Sequence, residues 1–239
     1  MPPTVLGTLH TVLRGRVQPY ARLDGRPGGP SAIDKRPVPG PVPVATLGLE
    51  GDEQGDRKVH GGPDKAIHHY PWDHYAAWRS ALGDLPVLRQ PGAFGENFST
   101  TGITEATLCW GDQVRVGTCL LELAQTRQPC WKLNTRFGQA TMARQVQTTG
   151  RTGWYWRVLE PGSVQAGDAI TLVHRPHPDW PLTRVLQVLY HQCLDGAALQ
   201  ALARLALPPS WQRLVQTRLE RRQVEDWAKR LDGLDGAQD

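Results

Sequence analysis

Long apolar runs and clustered cysteines are both missing from this chain of 239 residues. No segment approaches the roughly 20 consecutive apolar residues that a membrane-spanning helix needs, so we expect no membrane association. The first residues contain no lysine-rich region and no small-residue cleavage site, so we expect no signal peptide. The four cysteines are scattered and form no CxxC pair, which argues against a disulfide scaffold and favours a reducing cytoplasm.

Charge is modest in amount and uneven in placement. Charged residues make up 21% of the chain and hydrophobic residues 39%, a balance that favours a folded core over wholesale disorder. The formal net charge is +4, and the excess lies in residues 1–175, since residues 176–239 are neutral. A surplus this small does not by itself indicate nucleic-acid binding.

Glycine and proline are abundant, with 25 and 20 residues, and they recur every few positions before residue 175. This spacing is typical of short strands joined by turns. Alternating apolar residues, several of them after Gly–Asp turns, predict strands over 5–9, 42–44, 111–117, 119–124 and 167–173. Helices are predicted over 71–82 and 139–149. The predicted fold class is therefore mainly β with α, a β-barrel with helical insertions.

The composition changes at a proline-rich linker, residues 174–181, after which Leu, Gln, Arg and Ala dominate. We therefore predict two domains, residues 1–175 and residues 176–239. The second domain is predicted to contain three helices, over 182–192, 195–207 and 210–231, with Asp195 as an N-cap. Three helices joined by short loops form a small bundle.

A cysteine with a cation on either side is the first candidate for chemistry. Cys130 follows a predicted strand and lies between Arg127 and Lys132. Nearby cations favour the thiolate, which is the form that attacks a substrate or binds a soft metal, although a metal site needs further ligands. The alternative is a small buried hydrophobic residue beside two surface cations. The other three cysteines, Cys109, Cys119 and Cys193, are predicted to be packing residues.

Residues 56–70 combine cations, a Gly–Gly turn and three histidines. Glycine at positions 61 and 62 lets the backbone approach an anion closely. The cations suited to a phosphate are Arg57, Lys58 and Lys65, and the histidines suited to proton relay or hydrogen bonding are His60, His68 and His69. Zinc is disfavoured, because adjacent histidines on a strand point to opposite faces. The alternative is a solvated turn between strands.

Residues 92–98 form a short polar loop that contains two glycines and, between Phe94 and Phe98, the polar pair Glu96 and Asn97. In this loop Asn97 is suited to the edge of a heterocycle, and Glu96 is suited to accept hydrogen bonds from amino groups. From these residues alone, a structural turn is the favoured interpretation.

Taken in order, these motifs resemble those of the MOSC domain family, named for the C-terminal domain of molybdenum-cofactor sulfurase. The order is GLEGDEQGDRKVHGGPDKAIHHYP, then GAFGENF, then a GD turn, then R-x-P-C-x-K-L. The appended helical triplet resembles the 3-alpha domain of the YiiM-like branch, so the resemblance covers about residues 4–231. It implies a MOSC-type β-barrel, a bound pterin-based molybdenum cofactor (molybdopterin) and reduction of N-hydroxylated compounds, including N-hydroxylated base analogues.

The resemblance also implies roles for individual residues. Cys130 matches the family cysteine, which is a molybdenum ligand or a persulfide carrier, and His60 is the second catalytic candidate. The implied cofactor-binding residues are Arg57, Lys58, Gly61, His68, Glu96, Asn97, Arg127, Lys132 and Asn134. In this scheme the cations hold the cofactor phosphate, and His60 or His68 delivers protons near neutral pH. A cofactor held in this way can be lost during purification.

The Pro/Gly-rich stretch of residues 22–43 is longer than the family pattern leads us to expect. Within it, residues 26–30 are predicted to form a flexible flap. The departure touches none of the motifs that carry the resemblance.

Two partners follow from this interpretation, and two alternatives stay open. The sequence contains no flavin, haem or iron–sulfur motif, so electrons for an N-hydroxylated substrate must come from a separate flavoprotein reductase. The first alternative is a carrier that holds cofactor or sulfur on Cys130 without substrate turnover. The second is nucleic-acid binding through Arg218, Arg221 and Arg222, but interleaved acidic residues favour a solvated helix face. The helical triplet is expected instead to cover the barrel mouth or to mediate a homodimer.

Overall fold

The computed structural model describes residues 3–55 and 61–233. Strands and turns fill the first part of the chain, and helices dominate after residue 181. The strands are β1 (Thr4–Gly15), β2 (Gln18–Ala21), β3 (Pro27–Ser31), β4 (Lys35–Pro37), β5 (Val42–Ala45), β6 (Gly48–Leu49), β7 (Ile67–Pro71), β8 (Phe98–Thr101), β9 (Gln113–Val116), β10 (Cys119–Thr126), β11 (Trp154–Glu160), β12 (Gly162–Val164) and β13 (Ala169–His174). The helices are α1 (Asp73–Leu82), α2 (Lys132–Phe137), α3 (Met142–Thr149), α4 (Leu182–Tyr190), α5 (Gly196–Leu202), α6 (Pro209–Arg221) and α7 (Ala228–Leu231).

Seven of these strands close into a barrel in the order β13-β9-β10-β11-β7-β8-β1, and pairing of β1 with β13 completes the ring. Closure satisfies the backbone groups that an open sheet leaves at its edges. Among the described strand pairs of the barrel, β7 and β8 run parallel and the others antiparallel. The far end of β1 pairs with β4, and two small sheets, β2-β3 and β12-β5-β6, lie outside the ring.

The barrel interior and the C-terminal helices share one hydrophobic core. Period-two alternation turns Val114, Leu121 and Ile170 inward from adjacent strands, where each is fully buried. The same cluster of buried side chains continues through the loop before β9 into α4, α5 and α6. At this junction the rings of Trp110 and Trp211 lie 5.7 Å apart. The helices are therefore packed against the barrel as part of its core.

A second, smaller core supports the cysteine segment. Aromatic residues from β7, α1 and the polar loop stack together, with the rings of Tyr70 and Phe94 at 3.8 Å. Leu133 and Phe137 of α2 and Met142 of α3 are buried against this cluster. Because α2 begins two residues after Cys130, this core fixes where the cysteine loop leaves the barrel.

The predicted strands and both predicted helices of the first part are present, and the fold class is confirmed. The short helix α2 was not predicted. The expected flap of residues 26–30 is instead part of a hairpin, β2–β3, that packs on Trp131. No helix in the described ranges is long and apolar enough to cross a membrane.

The continuous helix predicted over 210–231 is interrupted. Arg222 adopts a left-handed conformation with φ of 52°, and α7 begins only at Ala228. A local contact across the break holds this arrangement, because the buried guanidinium of Arg218 donates to the Glu225 carboxylate, seven residues later, at 2.8 and 3.0 Å. The Trp227 indole donates to the same carboxylate at 2.8 Å. These charge-assisted bonds outweigh the small gain from extending α6.

Candidate functional site

An open cleft lies at one end of the barrel, between the cysteine loop and the β2–β3 hairpin. It is lined by residues from β3, β4, β7, the polar loop, the segment that follows β10, α2 and β11. The lining residues that matter for chemistry are Lys35, Asp52, Lys65, His68, Asn97, Arg127, Cys130, Lys132 and Tyr155. The topology therefore brings together several of the predicted site residues that are distant in sequence.

Cys130 lies half-buried in this cleft, in the loop that connects β10 to α2. β10 ends at Thr126, and the chain turns into α2 through Cys130, whose carbonyl accepts the backbone N–H of Leu133 at 3.0 Å. The other three cysteines lie outside the cleft lining, and all four are unpaired. A half-buried thiol in a cleft is accessible to a bound molecule, whereas a fully buried one is not.

Arg127 provides a buried positive charge with unused hydrogen-bonding capacity. Arg127 is only 5% exposed, and its backbone N–H donates to the Gly153 carbonyl at 3.0 Å. The Nη1 atom of its side chain has no hydrogen-bond partner. A buried donor without a partner costs free energy, so this guanidinium is suited to an anionic ligand that enters the cleft.

The β2–β3 hairpin forms one wall of the cleft and is tied to the cysteine segment. Lys132 Nζ donates to the Pro30 carbonyl at 2.9 Å, and Tyr20 Oη donates to the Lys132 carbonyl at 3.0 Å. Burial raises the pKa of Tyr20 to about 12, so its hydroxyl stays protonated and able to donate. Trp131 packs beneath the hairpin, with the guanidinium carbon of Arg22 5.1 Å from its ring centroid.

His68 is neutral in the folded protein. Burial lowers its pKa well below the usual value, and the Arg127 charge lowers it further, while a hydrogen bond to the Gly95 carbonyl acts in the opposite direction. Its Nε2 atom is buried and has no partner. A ring that burial holds uncharged is poorly suited to deliver protons near neutral pH, so that role of His68 stays a prediction that the burial of the ring does not support. It lines the cleft as a hydrogen-bonding group instead.

Glu96 and Asn134 do not line the cleft, contrary to their assignment to the cofactor-binding set. Glu96 is fully buried and accepts from the Tyr75 hydroxyl at 2.5 Å and from the backbone N–H groups of Gly92 and Phe94 at 2.8 and 3.0 Å. The Asn134 amide donates to the Leu231 carbonyl at 2.8 Å and accepts from the Ala143 N–H at 2.8 Å. The hydrogen-bonding groups of both side chains are therefore occupied by contacts that hold loops and helices together.

Asn97 lines the cleft, but its amide is also committed. Its Oδ1 accepts the His68 backbone N–H at 3.1 Å, and its Nδ2 donates to Leu13 O and to Asp52 Oδ2 at 3.2 and 2.8 Å. This network joins β1, β7 and the segment that contains Asp52, so Asn97 shapes the cleft wall.

Sequence reasoning missed Lys35 and Tyr155. Lys35 is 8% exposed, and its Nζ lies 2.5 and 2.7 Å from the two carboxylate oxygens of Asp52. Burial lowers the pKa of Lys35, and Asp52 acts against this effect. Tyr155 follows Trp154 on β11, and its ring lies 5.0 Å from that of His68. Neither residue belongs to a local motif, so only the folded topology reveals them.

Three predicted residues, Arg57, Lys58 and His60, lie outside the described residues. Gly61 is described but is not part of the cleft lining. Among the described residues, no group of three His, Cys, Asp or Glu side chains converges on a metal position. A metal beside Cys130 would therefore need most of its ligands from a bound group.

The charge of the cleft is positive overall. Lys35, Lys65, Arg127 and Lys132 line it against the two carboxylates of Asp52 and Glu53. Asp52 is paired with Lys35, and Glu53 is bound to Arg16 at 2.8 Å at the surface. The cleft can therefore bind an anion through Arg127 and its neighbouring lysines next to an accessible thiol.

Comparisons with known proteins agree with this architecture. A family model described as the MOSC domain matches residues 56–171, and one described as the YiiM-like, 3-alpha helix domain matches residues 180–222. The chain is 40% identical over 223 residues to Protein YiiM of Escherichia coli (strain K12), covering 93% of this chain and 97% of that protein. It is 39% identical over 186 residues to a protein named Reductase from Gibberella moniliformis, of which it spans 32%.

Solved structures show the same likeness. The crystal structure of YiiM from Escherichia coli superposes with a TM-score of 0.74 at 34% identity, over 91% of this chain and 98% of that one. YiiM from Geobacillus stearothermophilus gives a TM-score of 0.74 at 31% identity, over 89% and 99%. A crystal structure of a hypothetical protein gives 0.81 at 35% identity, over 95% and 96%.

Proposed function

Since this chain belongs to the MOSC family, in its YiiM-like branch with a C-terminal 3-alpha domain, we propose that it is a molybdenum-cofactor-dependent reductase of N-hydroxylated compounds. N-hydroxylated base analogues are the proposed substrate class. One observation supports the proposal above the others: the Cys130 thiol and the buried Arg127 guanidinium, whose Nη1 atom has no hydrogen-bond partner, line the same cleft. One relative bears the name Reductase, although this chain spans only about a third of it.

The cleft fits a phosphorylated pterin cofactor of molybdenum. Such a group brings an anion, which suits Arg127 Nη1 and the neighbouring lysines Lys65 and Lys132. It also brings a soft metal with sulfur ligands of its own, which needs only one thiolate from the protein. Cys130 lines the open cleft and supplies that thiolate.

When bound, the cofactor supplies the two-electron redox centre at which the N–O bond of the substrate is broken. The overall conversion consumes R–NHOH, two electrons and two protons, and releases R–NH₂ and water. The protein binds, orients and desolvates the reactants. Tyr155 offers an aromatic face to a planar substrate, and the uncharged His68 ring beside it offers a hydrogen-bonding nitrogen.

Two further parts of the proposal concern the electron donor and the cell compartment of the enzyme. Electrons are proposed to come from a separate flavoprotein reductase, because the sequence contains no flavin, haem or iron–sulfur motif. All four cysteines are unpaired, which is consistent with a reducing cytoplasm. His60, Arg57 and Lys58 stay predictions from the sequence as a proton donor and phosphate contacts.

The experiment is to express the chain in a host that makes the cofactor and to measure bound molybdenum and pterin with turnover. Wild type is compared with Cys130→Ala and with the control Cys193→Ala. Cys193 is a half-buried cysteine outside the cleft. We expect wild type and Cys193→Ala to bind metal and to reduce an N-hydroxylated purine with an artificial electron donor. Cys130→Ala should fold normally and lose more than about 100-fold in rate.

Wild-type turnover by Cys130→Ala would contradict the assignment of Cys130. The carrier alternative uses the same cysteine and the same cleft. Stoichiometric cofactor without any turnover, together with transfer of cofactor or sulfur to an acceptor protein, would replace our proposal with that alternative.

A further inference from the structure

The loop that contains Cys130 is held on both sides by one residue of the last described helix. The carbonyl of Arg230, in α7, accepts the Trp131 backbone N–H at 2.8 Å. The side chain of Arg230 turns to the other side of the cysteine, where its Nη1 donates to the Pro129 carbonyl at 2.6 Å. The residues before and after Cys130 are thus both bonded to Arg230.

Arg230 is itself anchored, so these bonds are not those of a free surface arginine. Its Nη2 donates at 2.7 Å to Oε1 of Gln147, a buried side chain of α3. The next residue, Leu231, accepts the Asn134 amide of α2 at 2.8 Å, and Asp232 pairs with Arg144 of α3. α7 therefore rests on the two helices that follow the cysteine.

Contacts of the preceding helices determine that α7 lies beside the cysteine loop. Arg218 of α6 is 1% exposed, donates to the Leu189 carbonyl of α4 at 2.8 Å and pairs with Glu225. Since Glu225 lies in the link between α6 and α7, this pair turns the chain back towards the cysteine loop. The C-terminal helices, which are otherwise remote from the chemistry, thereby provide contacts in the site.

We infer that Arg230 is a positioning residue that fixes the backbone at Cys130, and that the C-terminal helical domain completes the site through it. Peptide groups pinned on each side of a residue restrict its backbone torsions and hence the direction of its side chain. The consequence for catalysis rests on the proposed function. The effect on the reactivity of the Cys130 thiol does not, because that reactivity is measurable without cofactor.

The test is site-resolved alkylation of cofactor-free protein with iodoacetamide, read by mass spectrometry at each of the four cysteines. Arg230→Gln removes the paired donation to Pro129 and Gln147, whereas Arg230→Lys keeps the charge and reaches one acceptor. Lys229→Gln is the matched control, because Lys229 is the exposed cation one residue earlier on the same helix. Cys109, Cys119 and Cys193 serve as internal controls for general loosening.

We expect Arg230→Gln to raise the alkylation rate of Cys130 by about tenfold, the effect of one charge-assisted hydrogen bond, with the other cysteines unchanged. Arg230→Lys should give an intermediate rate, and Lys229→Gln the wild-type rate. An unchanged rate at Cys130 in Arg230→Gln would overturn the inference. An equal rise at all four cysteines would also overturn it, because that result means general destabilisation.

A second measurement separates this inference from the proposed function. In cofactor-loaded protein, Arg230→Gln should lower kcat several-fold and leave KM close to wild type, since the cations of the cleft are untouched. If wild type shows no turnover, the proposed function fails while the alkylation result still decides the role of Arg230.

Discussion

The indole N–H of Trp156 donates a hydrogen bond to Nδ1 of His69 at 3.0 Å, which fixes the position of the imidazole proton. Since Nδ1 accepts, the proton lies on Nε2, which donates to Thr100 Oγ1 at 2.6 Å. Burial holds the pKa of His69 well below the usual value, and the His74 charge lowers it further. Protonation at Nδ1 would place two donors face to face in the core.

This arrangement predicts that the protein loses stability as the pH falls below about 6.5. Below that value the unfolded chain binds a proton at His69 and the folded protein does not, so the free energy of unfolding decreases. Each such group contributes about 1.4 kcal/mol per pH unit, and His68 contributes in the same direction. His69→Gln should reduce the loss of stability between pH 6.5 and 5.5 by about 1 kcal/mol, because the unfolded histidine is only half protonated at pH 6.5; the loss is measured by urea unfolding.

The matched control for this prediction is His191→Gln, at an exposed histidine. It should keep the wild-type slope. A slope in His69→Gln equal to that of wild type would contradict the neutral, buried state of His69.

Glu96 is expected to affect folding more than ligand binding. Glu96→Gln introduces an amide donor where three donors already converge, so we expect a loss of about 3 kcal/mol in the free energy of unfolding. Glu160→Gln is the control, because its ion pair with Arg115 is exposed and should contribute less than about 1 kcal/mol. Chemical denaturation of both variants checks the difference, and similar losses would show that Glu96 is not a folding residue.

Gly28 keeps the β2–β3 hairpin in contact with Trp131. A Cβ at this position would lie 2.3 Å from Trp131 Cη2 and 2.8 Å from the Tyr20 carbonyl oxygen. We expect Gly28→Ala to displace the hairpin and to raise the rate of trypsin cleavage after Arg22 by about a hundredfold, the effect of a loss of roughly 2.7 kcal/mol in hairpin docking, whereas about 1 kcal/mol would raise it only about fivefold.

Gly29→Ala is the comparison for the hairpin. A Cβ there meets open space, so only the strain of its φ of +79° remains, about 1 kcal/mol. Equal cleavage rates in the two variants would mean that contact with Trp131 does not hold the hairpin closed.

Arg218 is expected to hold the link between α6 and α7. Arg218→Met removes the bonds to Leu189 and Glu225, and because Glu225 is 39% exposed, we expect a loss of about 2 kcal/mol. Amide hydrogen exchange at Trp131 should accelerate, since its acceptor lies on α7. Arg221→Met, at an exposed position of the same helix, should leave that exchange unchanged. Protection of Trp131 in Arg218→Met equal to wild type would contradict this role.

Local patterns were sufficient for several barrel strands and for the cleft residues around Cys130. The alternation that predicted the strand over 119–124 is the pattern that buries Leu121 and Leu123 in β10. Arg127, Cys130 and Lys132 were predicted together from one short motif, and all three line the cleft. In such segments the physical cause of the structure lies within a few residues.

Elsewhere the deciding partner lies far along the chain. Glu96 is bonded to Tyr75, 21 residues earlier, and Asn134 to Leu231, 97 residues later. A polar side chain in a loop has the same local pattern whether it faces a ligand or a distant backbone group. Lys35 was missed for the same reason, because its burial follows from Asp52 and not from the proline-rich sequence around it.

The bond between Arg230 and Pro129 spans 101 residues, and this separation has a consequence for synthesis. A chain made from its N-terminus at 5–20 residues per second emerges with Cys130 roughly 5–20 s before Arg230 exists to fix it. During that interval the barrel strands up to β10 are available for folding, but the bond from Arg230 to the Pro129 carbonyl cannot form. The last helix therefore determines when the backbone beside Cys130 becomes fixed.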